Sequence, residues 1–206
     1  MANWYERHIV PHIIRLGCGC QLLAEKREPI IRQARGRVLE LGIGAGANLP
    51  LYQTGNVTEL IGIEPSDELR SMASATPAAM RLGARLLDAC GEDLPFADAS
   101  FDTVVCTFTL CTVADERRTL AEARRVLRPG GIFLFCEHGR ADDPGVARWQ
   151  DRLDPAWKRV FGGCHLSRPV SATISDYFTM ASCERGYQER MPRFAGWMER
   201  GCAVAA

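Results

Sequence analysis

Arg37-Val38-Leu39-Glu40-Leu41-Gly42-Ile43-Gly44-Ala45-Gly46-Ala47-Asn48 is the stretch that decides the fold. Residues 38–41 read as a short buried strand, and glycine then takes every second position of a turn. Glycine there permits positive φ and lets a ligand approach backbone that carries no Cβ. Asn48 is a favourable cap for a succeeding helix, and Pro50 is tolerated in a first helical turn. Strand, glycine turn and helix start together form a nucleotide-binding corner at the carboxyl edge of a parallel sheet. Glu40 stands just before the turn, and the glycines fall as Gly-x-Gly-x-Gly rather than the Gly-x-Gly-x-x-Gly of a dinucleotide site.

Working outward, 206 residues suffice for one domain with a substantial core. Lys+Arg and Asp+Glu both number 25, so the balanced charge speaks against a nucleic-acid partner. No apolar run approaches the ~20 residues of a membrane span, and no signal-peptide pattern opens the chain. Nine cysteines, an odd number scattered along the sequence, read as reduced thiols of a cytoplasmic protein. Nothing in the sequence speaks to oligomeric state.

Residues 1–35 carry an interrupted apolar stripe and a helical piece over 29–34. They read as a helical cap on the sheet edge, with two competing readings: a lid over the ligand site, or a segment touching a membrane surface. A second strand over 59–63 ends at Glu64, 18 positions after Gly46 and close to the ~20 expected of an acid that grips ribose hydroxyls. A carboxylate suits that task because it accepts from both vicinal hydroxyls. Pro65 turns the chain and Ser66 caps the next helix. A third strand spans 84–88, a fourth 103–107 and a fifth 132–136. Between the last two, a helix from about 115 carries Leu120, Ala123 and Leu127 on one face and stops at Arg128-Pro129-Gly130-Gly131. An insertion over 146–175 precedes two closing strands near 178–190 and 200–205. Strands alternating with helices predict a doubly wound, mostly parallel α/β sheet. We divide the chain as a cap (1–35), a ligand-binding core (36–140) and a substrate-side insertion with closing strands (141–206).

The acid followed by Gly-x-Gly-x-Gly resembles the first motif of class I S-adenosylmethionine-dependent methyltransferases, and the likeness runs over residues 37–138. Further runs are similar to the mammalian alkyl thiol methyltransferases: Thr109-Leu110-Cys111, Arg125 to Gly131, Glu137-His138, Trp149-Gln150, Leu153 to Trp157, Gly163-Cys164 and Arg168. The resemblance implies a seven-stranded Rossmann-like sheet with its last strand antiparallel. It also implies S-adenosyl-L-methionine as cofactor and a small thiol or sulfide as acceptor. Glu40, Gly42, Gly44, Gly46 and Asn48 would then surround the methionine and ribose portions, with Glu64, Pro65 and Ser66 at the ribose. Gly91 and Glu92 would offer backbone to the adenine edge, where Cys90 stands in place of the family's aspartate. Thr107 and Leu110 belong to the loop facing the methionine end. The mammalian relatives carry an N-terminal membrane anchor; this N-terminus is shorter and more polar, so no firm anchor is expected.

Thiol methylation needs little catalytic machinery, because the cofactor arrives activated and an ordinary thiol ionises near ~8.5. His138 is the candidate base, because it ends the fifth strand on the ligand edge and histidine is the residue type suited to proton transfer near neutral pH; the competing reading has it bonding backbone to hold that turn. Glu137 is placed to orient the imidazole or the methionine amino group. Cys164 and His165 lie in a loop that closes over the acceptor or packs against it. Cys18 and Cys20, with Cys164 and His165, offer soft ligands, but no second paired motif accompanies them and no metal is expected. Two alternatives remain open: methylation at carbon, nitrogen or oxygen of a quinone precursor or lipid headgroup, and a non-catalytic module that binds the cofactor.

Overall fold

The computed structural model describes residues 21–205 together with His12. Its order is α1 (Gln21–Ile31), β1 (Gly36–Leu41), a 3-10 turn (Leu49–Leu51), β2 (Val57–Ile63), α2 (Asp67–Ser74), α3 (Pro77–Leu82), β3 (Arg85–Leu87) and β4 (Phe101–Thr107). Then come α4 (Glu116–Val126), β5 (Leu127–His138), α5 (Pro144–Val160), α6 (Val170–Ser175), β6 (Thr179–Tyr187) and β7 (Trp197–Val204). The seven strands lie in the order β3-β2-β1-β4-β5-β7-β6. β1 to β5 are mutually parallel, and β7 runs antiparallel to both its neighbours. The α/β class, the strand count and the antiparallel closing strand all match the expectation.

Burial explains why these segments are strands. Val38, Leu39 and Leu41 are fully covered, as are Val104, Val105, Phe133, Leu134 and Phe135. Successive strand residues point to opposite faces, so each strand feeds two cores. Leu39, Val104, Phe133 and Phe135 pack with Leu120, Ala123 and Val126 of α4 and with Ile174 of α6. Val38, Leu60, Val105 and Leu134 pack with Ile31 of α1, Ala73 of α2 and Ala79 of α3. A sheet buried on both faces needs the continuous apolar runs seen here. The chain winds outward from β1 to β3, then crosses back to β4, so β1 and β4 are neighbours whose carboxyl ends flank a topological switch point. Open α/β sheets bind ligands at such a point.

Several local expectations need correction. The first helix is not at 29–34; it covers Gln21–Ile31 with Pro29 inside its last turn. Proline lacks only the one N–H there, and burial of Ile30, Ile31 and Ala34 holds the segment regardless. Asn48 does not cap an α-helix: it is itself αR with no side-chain cap bond, and the chain after it makes a single 3-10 turn. Leu127 ends the α4 face as the first residue of β5. Arg128 to Gly131 do stop the helix, but as a bulge within β5. Leu127 pairs with Phe101 and Ile132 already pairs with Thr103, so two steps of β4 face five of β5. Gly130 takes φ +75 at that bulge, and Gly130 N donates to Ala205 O while Ala205 N donates to Gly131 O, both at 2.9 Å. The remaining helix starts agree with the sequence: Ser66 accepts from Leu69 N and Asp115 from Arg118 N. The expected cap or lid over 1–35 lies outside the described residues up to position 20, except His12, which stands 3.5 Å from Glu68.

Candidate active site

The three glycines of the turn have different reasons to be glycine. All have positive φ, +64, +54 and +82 for Gly42, Gly44 and Gly46. A Cβ on Gly42 would lie 2.7 Å from Cγ2 of Thr109, and one on Gly46 would lie 2.6 Å from Cδ1 of Leu49. Among the described residues, a Cβ on Gly44 would meet nothing nearer than Gly42 O at 4.0 Å. Gly42 and Gly46 therefore serve packing, and of the three only Gly44 faces space left open by the described residues.

Beneath the turn lies a buried polar knot. Glu40 accepts from Asn48 Nδ2 on Oε1 and from Tyr52 Oη on Oε2, both at 2.8 Å. Asn48 Nδ2 also donates to Thr107 Oγ1 at 2.9 Å, which ties the turn to the end of β4. Burial raises the Glu40 carboxyl to about 7, partly countered by the Tyr52 and Asn48 bonds. Both Glu40 oxygens thus have protein partners, so its place is under the turn. Asn48 Oδ1 is buried with no hydrogen-bond partner among the described residues. Tyr52 escaped the sequence reading, since a lone tyrosine after a turn carries no spacing signal.

Glu64 follows the last residue of β2 and lies across from Gly44. Its carboxylate accepts from Gly44 N at 3.2 Å and from Ser66 N at 2.9 Å, and Arg70 Nη1 donates to its carbonyl at 2.6 Å. Its pKa is raised, chiefly by burial, against the pull of the two N–H groups. Pro65 makes the turn between Glu64 and the Ser66 cap. Beyond β3, Glu92 spends its side chain on Ala114 N and Asp115 N at 2.9 and 3.3 Å, holding the entry to α4. Gly91 sits so close to Thr119 that a Cβ would come within 2.8 Å of Cγ2.

The loop after β4 is organised by Glu137. This carboxylate, fully buried at the end of β5, accepts from Thr109 N at 2.9 Å, Leu110 N at 3.1 Å and Cys111 N at 3.4 Å. Burial still raises it to about 7. The expectation that Glu137 orients the imidazole does not match these contacts: three backbone donors and Cys106 Sγ at 3.5 Å take up its oxygens. Phe108, at φ +53, adopts a conformation rare for a bulky residue. Arg168 reaches in from before α6, donating to Leu110 O and to Val113 O while its Nε pairs with Glu116 at 3.1 Å.

On that scaffold the structure gathers Cys111, His138 and Cys164, whose ligand-type atoms all lie within 4.8 Å of one another. Cys164 Sγ is 3.9 Å from His138 Nδ1. The Cys111 and Cys164 thiols face one another within 4.8 Å, and Cys111 Sγ also lies 3.4 Å from Thr112 Oγ1. The neighbouring Cys111 thiol, then His138 and Trp157, push Cys164 toward thiolate against the effect of burial, while Cys111 is driven the other way. His138 packs edge-on against Phe108 at 5.2 Å, and its Nε2 is buried without a partner among the described residues. His165 does not join them: its Nδ1 pairs with Asp154 at 3.3 Å, and only its backbone reaches the group, N donating to Cys111 O at 2.7 Å. Cys111 escaped the sequence reading as a site residue because it lies 27 and 53 positions from its partners. Cys18 and Cys20 fall outside the described residues. Trp149 is exposed on α5, whereas Trp157 stacks on Phe161 at 4.0 Å.

Comparison with known proteins gives the family and the fold. Residues 39–135 match the family model described as a methyltransferase domain. Human thiol S-methyltransferase TMT1A is 41% identical over 133 residues, 64% of this chain and 54% of that protein. Human thiol S-methyltransferase TMT1B is 36% identical over 174 residues, 82% of this chain and 69% of that protein. The chain thus spans about half the length of the first relative and about two thirds of the second. Among solved structures, a possible histamine N-methyltransferase of Thermotoga maritima superposes with TM-score 0.70 at 19% identity, covering 98% of each chain, a likeness of fold alone. The chain belongs to the family of S-adenosylmethionine-dependent methyltransferases that includes these two human proteins.

Proposed function

We propose that this protein transfers the methyl group of S-adenosylmethionine to a small thiol. The observation that carries the cofactor half is the open space at Gly44, bordered by Glu64 at the carboxyl edge of the β1–β4 switch point. The acceptor half is supported by the thiol methylation named for the two human relatives and by the group of Cys111, His138 and Cys164 beside that edge.

The residues fit the cofactor. Gly44 leaves room where any Cβ would intrude, Glu64 offers a carboxylate to ribose hydroxyls, and Asn48 Oδ1, without a partner among the described residues, is an acceptor at the same turn. When bound, the cofactor supplies a methyl group already activated by its sulfonium charge. The chain's own part is positioning and exclusion of water. Glu137 fixes residues 109–111 through three N–H bonds, which places buried Leu110 at the edge. His138 Nε2, buried and unpartnered among the described residues, is where the acceptor's proton is held or taken.

No helix among the described residues is long and apolar enough to cross a membrane. We place the protein in the cytoplasm, supported by seven described cysteines that are all free thiols.

Labelled-methyl transfer against a panel of thiols, amines, phenols and quinols tests the reading. The expected product is the methyl thioether of an alkyl or aryl thiol. Label on nitrogen or carbon, with thiols untouched, would overturn it. His138→Ala should slow alkyl thiols of high pKa much more than acidic aryl thiols, which arrive ionised.

A further inference from the structure

We propose that Cys111, His138 and Cys164 form a binding site for a thiophilic divalent cation, Zn²⁺, with a fourth position open to the acceptor's sulfur. The cation site rests on geometry alone; its fourth ligand rests on the reading of the protein as a thiol methyltransferase.

Two sulfurs and one imidazole nitrogen converge from three separate elements: the loop after β4, the end of β5 and the loop after α5. Tetrahedral zinc, with Zn–S near 2.3 Å and Zn–N near 2.0–2.1 Å, needs S···S of about 3.8 Å and S···N of about 3.5 Å. The observed atoms lie within 4.8 Å of one another, and the Cys164–His138 edge is 3.9 Å. Closing the site therefore takes at most about 1 Å on the S···S edge and about 1.3 Å on an S···N edge.

The backbone around the ligands is already fixed. Cys111 N donates to Glu137, Cys111 O accepts from His165 N at 2.7 Å, and Cys164 N donates to Phe161 O at 3.2 Å. Gly162 and Gly163, at φ +60 and +90, let the chain double back so that Cys164 turns inward. Held this way, the three ligands lose little freedom on binding an ion. Two thiolates and one imidazole balance the cation's charge, and soft sulfur ligands select zinc over magnesium or calcium.

Three protein ligands are the mark of a zinc site with an open position. With the ion on Nδ1, the His138 ring keeps its proton on Nε2, so the ion takes over the base's task from His138: the entering thiol gives up its proton to solvent and keeps the sulfur lone pair needed for attack. The methylated thioether carries no charge and is the weaker ligand, so product leaves. Sequence spacing could not suggest this site, because ligands at 111, 138 and 164 form no paired motif.

The test uses the full chain with Cys18→Ser and Cys20→Ser, reduced and stripped of metal, without cofactor. Co²⁺ is titrated in, and Zn²⁺ affinity is measured by competition with a chelator. We expect one equivalent of Co²⁺ with tetrahedral visible bands and a near-ultraviolet thiolate charge-transfer band of two-sulfur intensity. Cys111→Ser, Cys164→Ser and His138→Ala should each weaken Zn²⁺ at least ~ten-fold, since loss of even a hydrogen-bond partner of a ligand costs that much, and the exposed Cys183→Ser should not. Absence of the charge-transfer band in the parent protein overturns the site, whatever the variants do. So does an affinity unchanged in all three ligand variants. Adding benzenethiol should shift the visible bands. An unshifted spectrum while thiols are still methylated overturns the fourth-ligand assignment and leaves the proposed function standing. A shifted spectrum, with methyl transfer only to amines or carbon, supports the cation site and sinks the thiol reading.

Discussion

At the scale of single residues, the buried acids set the strongest expectations. Glu40 is held at about 7 in the fold, against an ordinary 4.5. Between those values the folded chain keeps a proton that the unfolded chain has released. Stability from this group is therefore greatest below about pH 4.5 and falls as pH rises to 7, by about 3 kcal/mol for a shift of this size. Glu40→Gln keeps both contacts, since its oxygen accepts from Asn48 and its amide donates to the Tyr52 hydroxyl. Urea midpoints of the two proteins from about pH 4.5 to 8 should diverge, with the unsubstituted protein losing ground as pH rises; parallel profiles would contradict the burial argument. Comparison with the variant matters, because Glu137 has the same sign while the thiolate tendency of Cys164 runs oppositely. Glu64 was legible from its spacing, yet its double duty was not. Glu64→Ala should weaken cofactor binding by about ten-fold or more, the worth of a charge-assisted hydrogen bond. It should also lower stability, because Gly44 N and Ser66 N lose their acceptor. Calorimetry giving unchanged affinity in the folded variant would remove Glu64 from the site.

At the scale of elements, the glycine turn separates ligand from packing. The sequence marked three equivalent glycines, because periodicity cannot say what each missing Cβ would touch. Gly42→Ala should cost roughly 2–4 kcal/mol, from left-handed backbone strain plus a methyl forced onto Thr109. Gly44→Ala carries the strain alone, about 1–2 kcal/mol, but should reduce cofactor affinity at least ~ten-fold. Thermal unfolding and calorimetry on the pair check this: equal affinity losses per unit of lost stability would mean that Gly44 has no special view of the ligand. The loop after β4 tells a similar story. Thr107 and Leu110 were legible as loop positions, whereas the role of Glu137 was not, because only tertiary structure places three N–H groups of residues 109–111 around it. The same holds for Asn48, whose side chain is taken by Glu40 and Thr107 across the turn.

At the scale of the whole molecule, strands β1, β2, β4 and β5 were readable because burial on both faces writes long apolar runs into them. The edge strand β6, expected near 178–190, spans Thr179–Tyr187, whereas the Pro129–Gly131 bulge was not foreseen, since no local pattern sets it. The site sits where elements distant in sequence meet, from Gly42 to Arg168, so ligand binding should be felt by the entire fold. A ligand that binds only the folded chain stabilises it by RT ln(1 + [L]/Kd), about 2.7 kcal/mol at a hundred-fold excess over Kd. For a domain of this length each kcal/mol shifts Tm by about 2–4 °C, so saturating S-adenosylmethionine should raise Tm by roughly 5–11 °C. S-adenosylhomocysteine keeps the ribose and adenine and should act similarly, whereas NAD should not, because the turn lacks the Gly-x-Gly-x-x-Gly spacing. The shift should follow the logarithm of ligand concentration and largely vanish in Gly44→Val, whose branched side chain occupies the open space. A comparable shift with NAD, or one that survives Gly44→Val intact, would move the ligand away from the β1–β4 switch point, and the proposed site with it.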